Sequence, residues 1–153
     1  MLKRREIDEV WLVLSPHNPL KDVAGLWDEN KRLELITSAI ATRPNIKVCT
    51  IEFTLPKPNY TINTLRTLSE QYPEHRFSIL IGADNYAIFD KWRAYDEILT
   101  HYIIYVYPRR GVERQAGRFD QMIWIDDAPL FDVSSTEIRN RIARGEPIDD
   151  LIP

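Results

Sequence analysis

RFSILIG, residues 76–82, is the stretch on which the fold turns. Its centre is continuously apolar and ends at a glycine, with no polar residue between Ser78 and Gly82. A strand with one face in water alternates polar and apolar residues. This one does not, and reads as a strand covered on both faces, the habit of parallel α/β sheets. Before it, a helix over 62–72 carries Ile62, Leu65, Leu68 and Tyr72 at helical spacing. After it come two short helical pieces around 84–90 and 94–100. YIIYVYP (102–108) then reads as a strand, and QMIWID (121–126) as another. Towards the amino end, EVWLVLS (9–15) and IKVCTIEF (46–53) are strands. Between them Asp28 caps a helix over 29–42, with Leu33, Ile36 and Ile40 on one face and Pro44 ending it. A helix opened by Ser134 comes last. Strand and helix alternate almost throughout, so the expected fold is an open parallel α/β sheet with helices on both faces.

The chain of 153 residues is long enough for one domain with a hydrophobic core. A formal charge of −3, without long runs of one sign, argues against a dedicated nucleic-acid binder. The lone Cys49 excludes an internal disulfide framework and a cysteine zinc cluster, and its apolar surroundings suggest a buried structural thiol. The apolar runs are strand-sized, and MLKRREIDEV lacks the apolar centre of a signal peptide. The expectation is a soluble cytoplasmic domain, with a homo-oligomer left open.

Ligands of open α/β sheets sit beyond the carboxyl ends of the strands. The unusual polar residues of this chain lie there, although each has a plain structural reading. SPHNPLK (15–21) forces an ordered loop from which Lys21 emerges, or is a turn with a surface lysine. YTINTL (60–65) puts Thr61 at a helix start, as an anion-receiving terminus or an ordinary cap. In IGADN (81–85), Gly82 allows close backbone approach, while Asp84 could meet ribose hydroxyls or cap the next helix. Trp92 in KWR is a core anchor or a stacking platform, and PRRG (108–111) is a solvated turn or a guanidinium pair. In DVSSTEIRNRI (132–142), Ser134 and Glu137 form a capping box, whose helix start could equally receive phosphate. Of the histidines, His75 and His101 flank strands at a polar edge, and only His17 falls on the ligand side. No Walker sequence, G-x-G-x-x-G, metal cage or Ser-His-Asp set is present.

Order and spacing say more than any single motif. S-x-x-N-P-x-K, Arg32 on the following helix, Glu52, Y-T-x-x-T-L, G-A-D-N, a K-W pair, a strand ending P-R, and V-S-S-T-x-I-R together resemble the bacterial nicotinate-nucleotide adenylyltransferases, from about residue 9 to 153. The resemblance implies a Rossmann-like domain that transfers the adenylyl group of ATP to nicotinate mononucleotide. The products would be deamido-NAD and pyrophosphate, and Mg2+ would be needed. By position it implies that Ser134, Ser135, Thr136 and Arg139 hold the ATP phosphates, with Gly82, Asp84 and Arg109 on the same nucleotide. Thr61 would receive the nicotinate carboxylate and Trp92 would stack on the pyridine ring, with Asn18, Lys21 and Arg93 completing the mononucleotide side. Arg139 and Lys21 would carry most of the catalysis.

The family pattern opens with a strand and a G-x-F-N/D-P-x-H-x-G-H segment, and none of the five glycines here lies in an H-x-G-H. The resemblance therefore implies a sheet without its first strand, a domain short at both ends, and little turnover by these 153 residues alone. Two alternatives remain open. One is a non-catalytic nucleotide-binding or interaction module. The other is an adenylyltransferase for nicotinamide mononucleotide or phosphopantetheine.

Overall fold

The computed structural model describes residues 4–16, 29–129, 140–141 and 143–147. Within it the chain divides into two compact units, residues 1–77 with 92–94, and residues 78–91 with 95–153. The helix expected after Ser134 lies outside the described residues, save for helical backbone at 140–141 and 143–144.

In the first unit, β1 (Val10–Val13) and β2 (Ile46–Cys49) run parallel, with Trp11 opposite Lys47 and Val13 opposite Cys49. The parallel pairing requires a crossover, and α1 (Glu29–Ile40) supplies it. The apolar run IKVCTIEF does not stay extended to its end. β2 stops at Cys49, and Ile51–Phe53 form a 3-10 turn. The turn carries Glu52 inward to 8% exposure, where extended backbone would have kept it in strand alternation. α2 (Thr61–Gln71) buries Ile62, Leu65 and Leu68 on the expected face. Burial of each such side chain contributes roughly 1.5–3 kcal/mol.

Tyr72, just past α2, joins Trp11, His75 and Phe77 in a ring cluster, with Trp11 edge-on to Tyr72 at 5.0 Å and to Phe77 at 5.4 Å. His75 remains exposed while stacking on Phe77. Trp11 donates its indole N–H to Glu9, which also pairs with Lys47 at 2.7 Å. Cys49 is half-buried rather than enclosed, a correction to the expected buried thiol. It shares a groove of about 570 Å³ with Trp11, Lys47, Thr54, Tyr72 and His75, and none of the proposed substrate residues lines that groove.

The second unit holds a parallel sheet in the order β3 (Ser78–Gly82), β4 (Ile103–Tyr107), β5 (Ile123–Trp124). α3 (Ala83–Ala87), a 3-10 turn (Phe89–Lys91) and α4 (Tyr95–His101) form the crossover between β3 and β4. The register sets Ser78 against Ile103 and Gly82 against Tyr107, so the carboxyl ends of β3 and β4 are level. Ile81, Ile104 and Val106 line a buried face. The opposite face is covered only in part. Tyr105 is buried there, but Leu80 is 46% and Ile103 47% exposed, so the expectation of a β3 enclosed on both sides is corrected. An apolar run marks faces that can be buried, and neighbouring elements decide which of them are.

Tyr86, Phe89 and Ile98 complete this core at 1% exposure or less. Phe119 stands edge-on to Tyr86, Phe89 and Tyr95. The Tyr86 hydroxyl donates to the Arg118 carbonyl at 3.1 Å and accepts the Gln115 N–H at 3.2 Å, pinning the long loop before β5. The α/β class with parallel strands is thus as expected, with the strands in two sheets, one in each unit. Among the described residues no helix is long and apolar enough to cross a membrane.

Candidate functional site

In the first unit the polar residues converge at the strand exits. α2 begins at Thr61, and its cap is Tyr60, which makes no side-chain capping bond. Thr61 is therefore the first helical residue and not a threonine cap. Asn63 N–H turns back to the Tyr60 carbonyl at 2.9 Å, which leaves the Thr61 and Ile62 amides as the outward donors of the first turn, and the helix dipole adds partial positive charge where they point. The Arg93 guanidinium lies over the Tyr60 ring at 4.8 Å, a cation–π contact. It ties the Trp92–Ala94 segment to the α2 start, so Trp92 and Thr61 flank one contact. Ala94 is in the left-handed region at φ 52, a conformation that a residue with a Cβ adopts only when its surroundings enforce it. Three of the expected mononucleotide residues, Thr61, Trp92 and Arg93, are thus brought together. Asn18 and Lys21 lie outside the described residues, as does His17.

Beneath them is a network with Glu52 at its centre. The carboxylate accepts hydrogen bonds from Ser15 Oγ at 2.7 Å, Thr64 Oγ1 at 2.8 Å and Asn59 Nδ2 at 3.4 Å. Asn59 Nδ2 also donates to the Glu52 carbonyl at 3.0 Å. Arg32 Nη2, from α1, donates to the Ser15 carbonyl at 2.8 Å. Arg32 and Glu52 belong to the family-like pattern, as do Ser15, which opens S-x-x-N-P-x-K, and Thr64, the second threonine of Y-T-x-x-T-L, while Asn59 is first picked out by the fold. For Glu52 itself the local signal is a glutamate inside an otherwise apolar run.

In the second unit, β3 ends at Gly82, which caps α3 with extended backbone. Asp84 stands in the first turn of α3 and makes no capping bond there. Its Oδ1 instead pairs with Arg109 Nε at 3.3 Å, two residues beyond the end of β4. The level strand ends make this meeting possible. Both side chains are more than half exposed, so the pair can exchange for a ligand at small cost. Gly82, Asp84 and Arg109, the described members of the expected ATP set, thus form one group. Ser134, Ser135, Thr136 and Arg139 lie outside the described residues.

Comparison with known proteins gives the family. Residues 2–141 match the family described as Cytidylyltransferase-like. A protein of Bacteroides fragilis named "Probable nicotinate-nucleotide adenylyltransferase" is 42% identical over 142 residues, covering 93% of this chain and 71% of that protein. One of the same name from Flavobacterium johnsoniae is 42% identical over 155 residues, covering 100% of this chain and 80% of the relative. Among solved structures, the Plasmodium falciparum nicotinic acid mononucleotide adenylyltransferase complexed with NaAD superposes with a TM-score of 0.73 at 18% identity. The match covers 94% of this chain and 74% of that one, and at that identity it speaks for the fold. With strand-end groups in the expected order and relatives above 40% identity over nearly the whole length, the chain belongs to the nicotinate-nucleotide adenylyltransferase family.

Proposed function

We propose that this chain carries the nicotinate mononucleotide and ATP groups of an enzyme that transfers AMP from the second to the first, giving deamido-NAD and pyrophosphate, with low turnover expected of these 153 residues alone. The observation that carries the reading is the uncapped start of α2 at Thr61, next to the Tyr60–Arg93 contact that holds Trp92. The amides there donate to a nicotinate carboxylate, and Trp92 stacks on the pyridine ring. A nicotinamide would present an NH2 that cannot accept those bonds, so the acid is favoured over the amide.

The nucleophile is a phosphate oxygen of the mononucleotide, already anionic, so the reaction requires no strong base. Its bond to the α-phosphorus of ATP forms as the bond from that phosphorus to the bridging oxygen breaks. The electron pair leaves on pyrophosphate. Catalysis is alignment of two polyanions and neutralisation of charge on the leaving group. Arg109, together with Lys21, Ser134, Ser135, Thr136 and Arg139 from the family pattern, supplies charge and donors of the right kind. ATP arrives as its magnesium complex, with the metal carried on the substrate's phosphates. A cytoplasmic location fits a reaction that draws on ATP.

The test is pyrophosphate release with ATP and nicotinate mononucleotide, nicotinamide mononucleotide or phosphopantetheine, paired with calorimetric titration of each acceptor. Tightest binding and fastest release with nicotinate mononucleotide are expected. Preference for either other acceptor would overturn the substrate assignment. Binding of nicotinate mononucleotide and ATP without any release would favour a nucleotide-binding module over an enzyme.

A further inference from the structure

We infer that Glu52 is the positioning residue of the mononucleotide half-site, an inference that rests on the function proposed above. Glu52 is 8% exposed and, among the described residues, hydrogen-bonds to none of the expected ligand-binding ones, yet its donors come from two sides of the first unit. Ser15 lies at the exit of β1, where the chain continues towards Asn18 and Lys21. Thr64 sits in the first turn of α2, and Asn59 immediately precedes the cap residue Tyr60. Oε2 receives Ser15 and Asn59, and Oε1 receives Thr64. Ser15 is held twice, because its carbonyl accepts from Arg32 of α1. One buried side chain thereby sets the β1 exit against the α2 amides that face the carboxylate.

A carboxylate suits the task because both oxygens accept and neither donates, so three donors can converge on it. A glutamine in its place has one accepting oxygen and an NH2, which faces a donor unless a hydroxyl reverses. An aspartate is one methylene shorter and cannot keep both oxygens in reach. The 3-10 turn at Ile51–Phe53 delivers the side chain to this point, which accounts for the departure from strand geometry after Cys49. The separations of 37 residues to Ser15 and 12 to Thr64 make the network a tertiary device. Its effect is confined to the first unit, so the mononucleotide should sense it and ATP should not.

The experiment is calorimetric titration of the whole chain and its variants with nicotinate mononucleotide and, separately, with ATP, alongside thermal melts. Glu52→Gln and Glu52→Asp should weaken mononucleotide binding by about tenfold or more, with ATP affinity changed by less than about twofold. Ser15→Ala and Thr64→Val, each removing one donor, should weaken it by about threefold. In the Glu52→Gln background the same changes should add little, because the groups act as one network. Should Glu52→Gln not fold, the two donor variants decide by the same split between ligands. Unchanged mononucleotide affinity, or equal loss for both ligands in step with the melting temperature, would overturn the positioning role and leave the proposed function standing. Failure of the unaltered chain to bind nicotinate mononucleotide would overturn the proposed function, and this inference with it.

Discussion

The Asp84 carboxylate occupies the space that a side chain on Gly82 would fill. A Cβ there would overlap Asp84 Oδ1 and come within 3.1 Å of Arg109 Nε. The Gly82 backbone, at φ −76 and ψ 157, suits any residue. Glycine is required here by the neighbouring ion pair and not by the chain's own conformation. Gly82→Ala should therefore fold with a stability loss under about 1 kcal/mol, since only flexible side-chain ends must move. It should displace Asp84 and weaken ATP binding by roughly tenfold, about 1.4 kcal/mol. Thermal melts with ATP titration check both parts, and a large fall in melting temperature would contradict the explanation.

The two ligand groups make separable demands. Trp92→Ala should mainly weaken nicotinate mononucleotide binding, by about 1–3 kcal/mol if the ring stacks as proposed. Arg139→Ala should mainly impair ATP use. Kinetic or calorimetric constants for both substrates distinguish the two, and equal effects of both substitutions on both ligands would refute the division.

Tyr86 offers a test of the second unit's core. Its ring is 1% exposed, and its hydroxyl both donates to the Arg118 carbonyl and accepts the Gln115 N–H. Tyr86→Phe keeps the ring contacts and leaves those two backbone groups without that partner. A loss of about 1–2 kcal/mol is expected, measured as a lowered urea midpoint with unchanged slope. A neutral result would mean that water replaces the hydroxyl at no cost.

Acid should act on Glu9. Hydrogen bonds from Lys47 and Trp11 hold its carboxyl below the ordinary value of 4.5. A folded-state value lowered in this way contributes stability above the unfolded value, lost as pH falls through the folded one. Glu9→Gln should thus lower the urea midpoint at neutral pH, and the gap from wild type should close on acidification below 4.5. A gap independent of pH would show that packing and not charge is responsible.

Much of the fold was legible in the sequence because its causes are local. Helical spacing of Ile62, Leu65 and Leu68 located α2, and the apolar run before Gly82 located β3. Element boundaries were less legible where a tertiary contact overrode the pattern. IKVCTIEF reads as one strand by composition, yet Ile51–Phe53 form a 3-10 turn that sets Glu52 against Ser15, Asn59 and Thr64. QMIWID reads as a full strand by composition, but pairing with β4 holds only Ile123 and Trp124 in register.

The sequence by itself determined the alternation of strand and helix, hence parallel pairing, and the order of strand-end motifs that marks the family. These follow from periodicity and turn chemistry, which act within a few residues. Tertiary structure alone decided that Ser15, Asn59 and Thr64 converge on one buried carboxylate. It also decided that Arg109 reaches Asp84, and that Arg93 lies over Tyr60 beside Thr61. Those partners are 25 and 33 residues apart in the chain. A hydrogen bond or ring contact depends on distance in space, and only the crossovers bring such groups to the same strand ends.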